Sequence, residues 1–535
     1  MMERSWEFGA WRPTISPSQM NWKAPEVKEV QELRDILIDQ AKDVVDKTYL
    51  PSVWARRGKT LLILGYPELS AADAYKAIRL CDAGLCHDST TGLKVRLIVG
   101  MWIMLQSSEL SSWTASTPAR ECQRRVADRL KDDRNEAYKL LLSALRYTQD
   151  NREAVNVCHE AQMLYPHDLA FAETLAAIQK RIRSREGALK KSGMTAADIE
   201  AQMRVGCIRF KQYPWMSPSL LRRSPDLVSA CNAALESYST CIEMKESSIG
   251  ESGTAANNDN STKCFGYFAT RDIQAGELVL AAPTALGVYN RQTTARCYNC
   301  SKNLNPSYVA GFPCCSAIRF CSSECRRIAE ETYHKILCGK DFGVIYKDAE
   351  RACDTEDPAI NVLFWLRLLA CCVQEGGHPL EMPQMARLVA QYGTDINVGW
   401  SLRANVVGPL QILESFGVDI FADARYESWV LETMWHRVKN NYNSMGINGE
   451  LFVYLNEHYS GFNHSCHSPP MVAARSMIST AELGAMRYIR KGEEVLTTYL
   501  GREKLAAPKE MQVSWGLEKA EAKDVGPLIS QSISF

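Results

Sequence analysis

The sequence has little histidine, no excess of either charge and no long apolar run. Only nine residues are histidine, and 62 Lys and Arg residues balance 62 Asp and Glu residues. A neutral chain has no general field that attracts nucleic acid or an anionic membrane. No uncharged stretch reaches the about 18 apolar residues of a membrane-spanning helix, and MMERSWEFGAWRPTISP at the N-terminus has no apolar core of a signal peptide. We therefore expect a protein of the cytoplasm, the nucleus or both.

The length and composition are those of a folded protein with several domains. A chain of 535 residues is too long for a single hydrophobic core. The hydrophobic fraction of 46% and the charged fraction of 23% are ordinary for a soluble protein. Without a secretory signal, the 19 cysteines are expected to stay reduced. Seven of these 19 lie between Cys297 and Cys338, and such clustering indicates a metal site.

The first part of the chain, residues 26–200, is predicted to be almost wholly helical. Small or apolar residues recur in the same register in 58–85 and 135–168, as they do where two helices of a pair cross. Gly65 and Pro166 stand where such a unit needs a small residue and a helix end. The spacing resembles the tetratricopeptide (TPR) repeat of about 34 residues. An ordinary helical bundle is the alternative.

After this helical part, β-rich stretches alternate with helices. IEMKESS and GELVLAAPTALGVY bracket a polar stretch at 249–262, which is predicted to be a flexible loop between strands. A second helical region follows at about 355–440, with the clearly apolar stretch NVLFWLRLLACCV, and short strands continue to about residue 500. The predicted fold class is therefore multidomain α+β.

The clustered cysteines have the spacing of metal ligands. A Cys-x2-Cys turn lets two thiolates bind one ion, and the Cys-x3-Cys and His-x3-Cys spacings predict ligands one turn apart on one face of a helix. Together the candidates are enough for two tetrahedral zinc ions. In chain order they are Cys297, Cys300, Cys314, Cys315, Cys321, Cys325, His334 and Cys338.

The order of these ligands, with the blocks FCSSEC and YHKILC, resembles the MYND zinc finger. The resemblance implies that the first, second, fifth and sixth ligands hold one structural zinc ion and the other four hold a second. The family normally has Cys-x2-Cys where this chain has adjacent cysteines, so a strained turn is expected there. Because all ligands are protein groups, neither ion is expected to be catalytic. Zinc one then takes Cys297, Cys300, Cys321 and Cys325, and zinc two takes Cys314, Cys315, His334 and Cys338.

A second motif, GFNHSCHSPP at 461–470, is by itself compatible with a metal loop. Upstream stands CFGYFATRDIQAGELVL at 264–280, and downstream stands RYIRKGEEVLTTYLG at 487–501. In this order the three pieces resemble the SET domain of protein lysine methyltransferases, over about 242–517. The inserted finger, and VKNNYNSMGI at 438–447, are similar to the SET-and-MYND family, one branch of which has TPR-like helices before the SET domain.

The resemblance implies a binding site for S-adenosylmethionine (AdoMet). His464 is then a cofactor residue rather than a metal ligand, and the alternative is a histidine that is hydrogen-bonded within its loop. Tyr499 matches the catalytic tyrosine of the family, although a tyrosine at the end of a strand usually only packs. The implied cofactor-binding residues are Gly266, Tyr267, Asn443, Ser444, Asn463, His464, Tyr499 and Leu517.

The chain departs from the family pattern in three places. Cys264 replaces the first glycine of a Gly-x-Gly motif, so its side chain must turn away from the cofactor. The second asparagine of the family's NHSCxPN is missing from NHSCHSPP. The stretch WGLEKAEAKDVG at 515–526 has no cysteine, so no third zinc ion is expected. Cys466 is then an ordinary buried thiol, and His467 is a loop residue.

The chemistry of methyl transfer explains why these residue types are needed. Transfer from a sulfonium to lysine requires a neutral amine about 3 Å from the methyl carbon, and an apolar channel lowers the lysine pKa. The resemblance therefore predicts an AdoMet-dependent protein-lysine N-methyltransferase that acts on a protein substrate.

Two other functions are alternatives to this one. The first is a non-catalytic adaptor with a degenerate SET fold, which binds peptide partners through the zinc finger and the TPR-like helices. The second, a DNA-binding regulator, is disfavoured because the finger has few basic residues. We expect neither a nucleic acid nor a membrane partner. The predicted segments are a TPR-like region at 26–200, the first SET part at 205–290, the finger at 297–338, a helical insert at 345–445, the second SET part at 446–517 and a tail at 518–535.

Overall fold

The structure is a computed structural model of the 535-residue chain. The predicted loop at 249–262 and most of the predicted tail at 518–535 lie outside the residues that it describes. As predicted, the fold is mixed α+β, with a helical region before a β-containing region. The described residues are 11–15, 22–86, 89–106, 119–217, 220, 225–248, 265–284, 286–305, 308–388, 397–465, 470–498 and 531–532.

The chain forms two compact units, each made of two separate segments. The first unit contains Met1–Met216 and Asp395–Leu431, and the second contains Ser217–Thr394 and Glu432–Phe535. The segment 345–445, which the sequence suggests as one helical insert, is divided between the two units. The sequence gives no sign of this division, because the contacts that define it join residues far apart in the chain.

The N-terminal part of the first unit is helical, as the sequence predicts. Prolines begin two of the helices, at a position where the missing N–H has no intrahelical partner to lose. The helix before Pro166 ends at Leu164. Gly65 lies in a turn between helices with a φ of 84°, a conformation that favours glycine. The described helices here are Val27–Asp46, Pro51–Ile63, Pro67–Leu85, Thr90–Gln106, Ala119–Thr148, Asn151–Leu164, Leu169–Lys191 and Ala196–Met203.

Small residues allow these helices to approach one another closely. A Cβ atom on Gly84 would lie 2.7 Å from Leu130 and 2.8 Å from Val95. A Cβ atom on Gly58 would lie 3.0 Å from Leu140. Neither glycine has a positive φ among the described residues, so close contact between helices is the reason for glycine at both positions.

The second segment of the first unit, 395–431, is connected to the N-terminal helices by hydrogen bonds of backbone and buried polar groups. Its strand Asn397–Trp400 pairs antiparallel with Gly206–Arg209. The carboxylate of Asp150, which caps a helix, also accepts the N–H of Leu402 at 2.8 Å. Burial raises the pKa of Asp150 to about 7. The other elements are a π-helical turn Arg403–Val407, a helix Gly408–Ser415 and a 3-10 turn Ala424–Tyr426.

A buried ion-pair network also connects the N-terminal helices to the segment 395–431. Arg57 donates two hydrogen bonds of 2.8 Å to the carboxylate of Asp73 and one of 3.0 Å to Glu427. The side chains of Arg57 and Asp73 are only 4% and 1% exposed. Because one guanidinium satisfies two buried carboxylates, the helix with Arg57 and the segment with Glu427 depend on each other.

Within its described residues, the second unit contains a mixed four-stranded sheet, an antiparallel three-stranded sheet and two smaller pairs of strands. In the first sheet, the short strand Gln531–Ser532 is parallel to its neighbour, and the other pairs are antiparallel. The four-stranded sheet has the order Gln531–Ser532, Asn443–Ile447, Glu450–Leu455, Leu286–Tyr289; the three-stranded sheet has the order Val472–Ser476, Thr480–Ala485, Leu278–Pro283; the pairs are Ile242–Glu246 with Phe265–Ala269 and Val309–Phe312 with Cys315–Phe320.

Helices pack around these sheets. One of them, Pro358–Glu375, is long and apolar enough to cross a membrane, but 72% of it is buried within the protein, and the core helix of a soluble protein passes the same test. The described helices and turns of this unit are Pro225–Leu235, Ser323–Ala329, Glu330–His334, Lys335–Leu337, Gly343–Glu350, Pro358–Glu375, Pro379–Glu381, Pro383–Ala386, the larger part of Ser428–Asn441, and Tyr459–Gly461.

Replacing Arg57 with methionine is expected to destabilise the first unit. The change would remove the guanidinium that is hydrogen-bonded to Asp73 and Glu427 and leave the buried Lys76 as their nearby positive charge. Loss of one partner from a buried ion-pair network costs about 3–5 kcal/mol. The neighbouring Arg56 pairs with Asp43 at 3.2 Å on the surface, so Arg56→Met should cost less than about 1 kcal/mol. Urea unfolding of the whole chain, followed by circular dichroism, measures both effects. Equal effects of the two variants would contradict a structural role for the buried network.

Candidate active site and metal centres

The first cysteine group joins two separate parts of the finger segment. The Sγ atom of Cys321 lies 3.5 Å from those of Cys300 and Cys325. A disulfide bond measures about 2.05 Å, so these are separate thiols. A tetrahedral ion with zinc–sulfur bonds of about 2.3 Å holds its sulfur atoms about 3.8 Å apart. With Cys297, whose Sγ completes a group within 4.8 Å, the four thiols have the geometry to hold one zinc ion.

A β-hairpin positions the two adjacent cysteines of the second group. Its strands, Val309–Phe312 and Cys315–Phe320, pair antiparallel. Cys314 lies in the turn, and Cys315 begins the second strand. Neither Pro313 nor Cys314 is among the described residues with a positive φ. The strained turn that the sequence suggests is therefore not needed, because the change from turn to strand directs both thiols to one site.

The second group combines the hairpin thiols with two ligands from the following helical segment. The Sγ of Cys314 lies 3.4 Å from Nε2 of His334, and the Sγ of Cys315 lies 3.9 Å from that of Cys338. The four ligand atoms lie within 4.8 Å of one another. Phe312 stacks on the imidazole of His334, with 3.9 Å between ring centroids. This contact orients the imidazole, and the group has the geometry to hold a second ion.

The helical segment differs from the prediction at Cys321. Ser322 is the N-cap of the helix, and its side chain accepts the N–H of Cys325 at 3.1 Å. Cys321 therefore precedes the helix and does not share a helical face with Cys325. His334 ends a π-helical turn, Glu330–His334. The N–H of Cys338 donates to the carbonyl of His334 at 2.8 Å, so these two ligands are one helical turn apart, as predicted. Ligand spacing alone predicts neither the cap nor the π-helical turn.

The loop with Asn463 and His464 lies against a segment from the end of the second unit. The N–H of Ser465 donates to the carbonyl of Thr497 at 2.8 Å, and the N–H of Thr497 donates to the carbonyl of Asn463 at 3.0 Å. The hydroxyl of Thr497 donates to the carbonyl of Val472 at 3.2 Å. Thr497 is thus hydrogen-bonded both to the loop and to a neighbouring strand.

The strand Phe265–Ala269 contacts the same segment a few residues earlier. The N–H of Val495 donates to the carbonyl of Tyr267 at 2.7 Å. Phe268 and Glu494 form an antiparallel bridge. The three separate pieces of the sequence motif therefore meet in one place.

Glu494 is the centre of a hydrogen-bond network at this junction. Its carboxylate accepts the side-chain N–H of Asn463 at 2.7 Å and the hydroxyl of Ser247 at 2.9 Å. The same Asn463 nitrogen donates to the carbonyl of Phe265 at 3.2 Å. A Cβ atom on Gly266 would lie 2.1 Å from Oε1 of Glu494 and 2.7 Å from Nδ2 of Asn463. An alanine at 266 would displace the ends of these two side chains and disturb the hydrogen bond between them.

Tyr267 is buried, and His464 is partly buried. Tyr267 is 1% exposed, and its ring centroid lies 4.7 Å from that of Phe462. Burial lowers the pKa of His464 to about 4, so its imidazole is neutral at pH 7. In the part of the chain that the structure describes, His464 belongs to neither metal-binding group.

Asn443 and Ser444 begin a buried strand, and Thr355 donates a hydrogen bond of 2.9 Å to the hydroxyl of Ser444. The side-chain nitrogen of Asn443 is buried and donates to no acceptor within the described residues. A buried donor without an acceptor is costly. This nitrogen therefore fits a bound group that accepts a hydrogen bond.

The other predicted residues of this site lie outside the described residues. They are Cys264, Cys466, His467, Tyr499 and Leu517. The roles assigned to them from the sequence stay predictions.

Sequence reasoning missed Glu494 and Ser247. The stretch GEEVLTT contains a signal for the first, since successive side chains of an extended segment point in opposite directions. Glu493 accepts the N–H of Arg490 in the preceding turn at 3.0 Å, so Glu494 faces inward. No local pattern identifies Ser247, which is a serine at the end of a short strand.

Comparison with known families assigns this region. Residues 264–500 match the family model of the SET domain. This part of the chain is therefore similar to SET domains. Members of this family are mostly lysine methyltransferases, and they generally use AdoMet. No curated protein matches the chain significantly.

The SET-domain match includes the segment with both metal groups, so their loading can be tested in the whole protein. We expect two zinc ions per chain by elemental analysis. Cys300→Ser should remove one ion, because a structural zinc site with three thiolates is much weaker. Cys353, an exposed cysteine outside both groups, provides the control, and Cys353→Ser should leave two ions bound. A content near three, or an unchanged content in Cys300→Ser, would contradict the two groups.

Gly266→Ala is expected to destabilise the SET domain. The added Cβ would collide with the side chains of Glu494 and Asn463, and overpacking of this kind costs about 1–3 kcal/mol. The control is Gly377→Ala in the same unit, where a Cβ meets no atom within 4 Å. Thermal unfolding should show a lower midpoint for Gly266→Ala and little change for Gly377→Ala. Two unchanged midpoints would show that the network does not need the glycine.

Proposed function

We propose that this protein is an AdoMet-dependent protein-lysine N-methyltransferase. The observation that carries the proposal is the junction of the strand Phe265–Ala269, the loop Asn463–Ser465 and the segment Val495–Thr497 within a region that matches the SET domain. SET domains place AdoMet at this junction.

Several described residues of the second unit support an AdoMet site. The unsatisfied side-chain nitrogen of Asn443 is a donor for the carboxylate of the cofactor. Asn463 is held by Glu494 and by the carbonyl of Phe265, so the loop keeps one conformation. His464, which follows Asn463, is neutral at pH 7 and does not repel the cationic cofactor. Gly266, Tyr267 and Ser444 would complete the pocket, and Leu517 would cover the cofactor with an apolar side chain.

In the proposed reaction, bound AdoMet supplies a methyl group on a positively charged sulfur. The part of the protein is to exclude water and to place a neutral lysine amine in line with that methyl group. Tyr499 follows the Val495–Thr497 segment, and its hydroxyl would orient the amine. Desolvation lowers the pKa of the lysine, so its proton leaves to solvent before transfer.

The finer assignments are part of the same proposal. The two cysteine groups would form a MYND finger with two structural zinc ions, and the finger would bind peptide partners. The N-terminal helices would act as TPR-like repeats that present a protein substrate or a partner. We place this protein in the cytoplasm, the nucleus or both.

Tyr499→Phe should lower the rate of methyl transfer while leaving AdoMet binding almost unchanged. The variant keeps the ring and removes one hydrogen bond made in the transition state, which corresponds to about 2–4 kcal/mol, or roughly 30- to 1000-fold in rate. Transfer of labelled methyl groups from AdoMet to a mixture of lysine-containing proteins measures the rate. Isothermal titration with AdoMet measures the binding.

Tyr488→Phe is the matched control for this change. Tyr488 is 43% exposed and donates to Asp272 at 2.6 Å, so its variant should transfer methyl groups at the normal rate. An equal rate in Tyr499→Phe and the original protein would exclude the assigned role of Tyr499. If the original protein bound no AdoMet at millimolar concentration, the enzyme proposal would fail and the adaptor function would remain.

A further inference from the structure

A small cavity lies beside the first cysteine group in the second unit. Its volume is about 40 Å³. A buried water molecule needs about 10–15 Å³ on this measure, so the cavity has room for roughly three water-sized groups. Three arginines line it, Arg291, Arg296 and Arg367, together with Cys297 of the metal group.

Arg367 is the unusual residue of this cavity. It lies in the apolar helix Pro358–Glu375 and is only 6% exposed. Its guanidinium lies 3.8 Å from the ring centroid of Tyr333 and 4.7 Å from that of Tyr298. One N–H group donates to the carbonyl of Tyr298 at 3.0 Å. Among the residues that the structure describes, no carboxylate forms an ion pair with Arg367.

The other two arginines differ in how their charge is balanced. Arg296 pairs with Glu450 at 2.6 Å and donates to the carbonyl of Ser301 at 3.0 Å, so its charge is neutralised. Arg291 is exposed and has a long contact of 3.4 Å with the carbonyl of Gly449. The cavity therefore has two arginines, one buried and one at the surface, that no carboxylate pairs with among the described residues.

We propose that this cavity binds a small oxyanion, either a carboxylate or a phosphate group. A guanidinium has five N–H donors in a planar fork that matches both groups. Aromatic rings contact the guanidinium of Arg367 through their faces, which leaves donors at its edge for a ligand. Thr293 also lines the cavity, and its hydroxyl is a further donor. Tyr346 lines it as well, but its hydroxyl already interacts with Tyr298 and Arg367. The site is separate from the AdoMet junction and does not depend on methyl transfer.

The first metal group is the strongest argument against this proposal. Cys297 lies in the cavity wall, and a zinc ion with four thiolates carries a net negative charge. If Arg367 and Arg291 only balance that charge, an added anion gains little. The experiment must therefore use the protein with its metal bound.

The test is a titration of the metal-loaded, full-length protein with sodium phosphate and, separately, with sodium acetate. Chloride replaces the probe to keep the ionic strength constant, and the midpoint of thermal unfolding is followed. A bound anion raises the midpoint in a saturable way. A response to phosphate alone identifies a phosphate site, and a response to acetate identifies a carboxylate site.

Three variants show whether the response comes from this cavity. Arg367→Met should abolish it, and Arg291→Gln should weaken binding about tenfold, which corresponds to about 1.4 kcal/mol. Arg326→Met is the control, because Arg326 makes a similar contact of 5.1 Å with the ring of Phe312 but does not line the cavity. If Arg367→Met does not fold, the response of Arg291→Gln to the anion decides whether binding occurs in this cavity. The proposal is overturned if the midpoint of the original protein shows no saturable rise with either anion. It is also overturned if the midpoints of Arg291→Gln and Arg326→Met rise with the anion as that of the original protein does.

Discussion

The site in the second unit depends on one short segment, Val495–Thr497, that is hydrogen-bonded to several distant parts of the chain. The loop Asn463–Ser465 and Val472 both bond to Thr497, and Tyr267 accepts the N–H of Val495. Closing such long loops carries an entropic cost that only many simultaneous contacts can offset. The cysteine-rich segment and the helices lie in the sequence between the strand Phe265–Ala269 and the loop Asn463–Ser465, and they do not interrupt these hydrogen bonds. Glu494 reinforces the junction with side-chain bonds.

The two cysteine groups have a different role, which is to order a segment with a small hydrophobic core. Metal ions bound by these groups would link separate parts of the segment, and the free energy of metal binding would then contribute to the free energy of folding. The groups use different local structures. The first combines a turn with the start of a helix, and the second combines the hairpin residues Cys314 and Cys315 with a π-helical turn. Ligands with similar spacing in the sequence can therefore be brought together by different backbone conformations.

Buried charges distinguish structural links from a candidate binding site. Arg57 is surrounded by the carboxylates of Asp73 and Glu427, so its bonding is satisfied within the first unit. Arg367 is also buried, but aromatic rings replace carboxylates around it among the described residues. A cation–π contact stabilises a buried guanidinium less than a carboxylate does. The same residue type thus acts as an internal link in one unit and is available for a ligand in the other.

The sequence by itself determined the α+β class, the helical nature of the N-terminal part, and which cysteines and histidine are close enough in the chain to form metal groups. These features depend on residues a few positions apart, where helical and strand periodicity and ligand spacing have direct geometric meaning. Tertiary structure alone decided that 395–431 packs with the N-terminal helices and that Glu494 joins Ser247 to the Asn463 loop. The bond from Arg57 to Glu427 spans 370 positions and that from Ser247 to Glu494 spans 247. No local pattern encodes such pairs, because each partner has an ordinary sequence environment and acquires its role only when folding brings the two together.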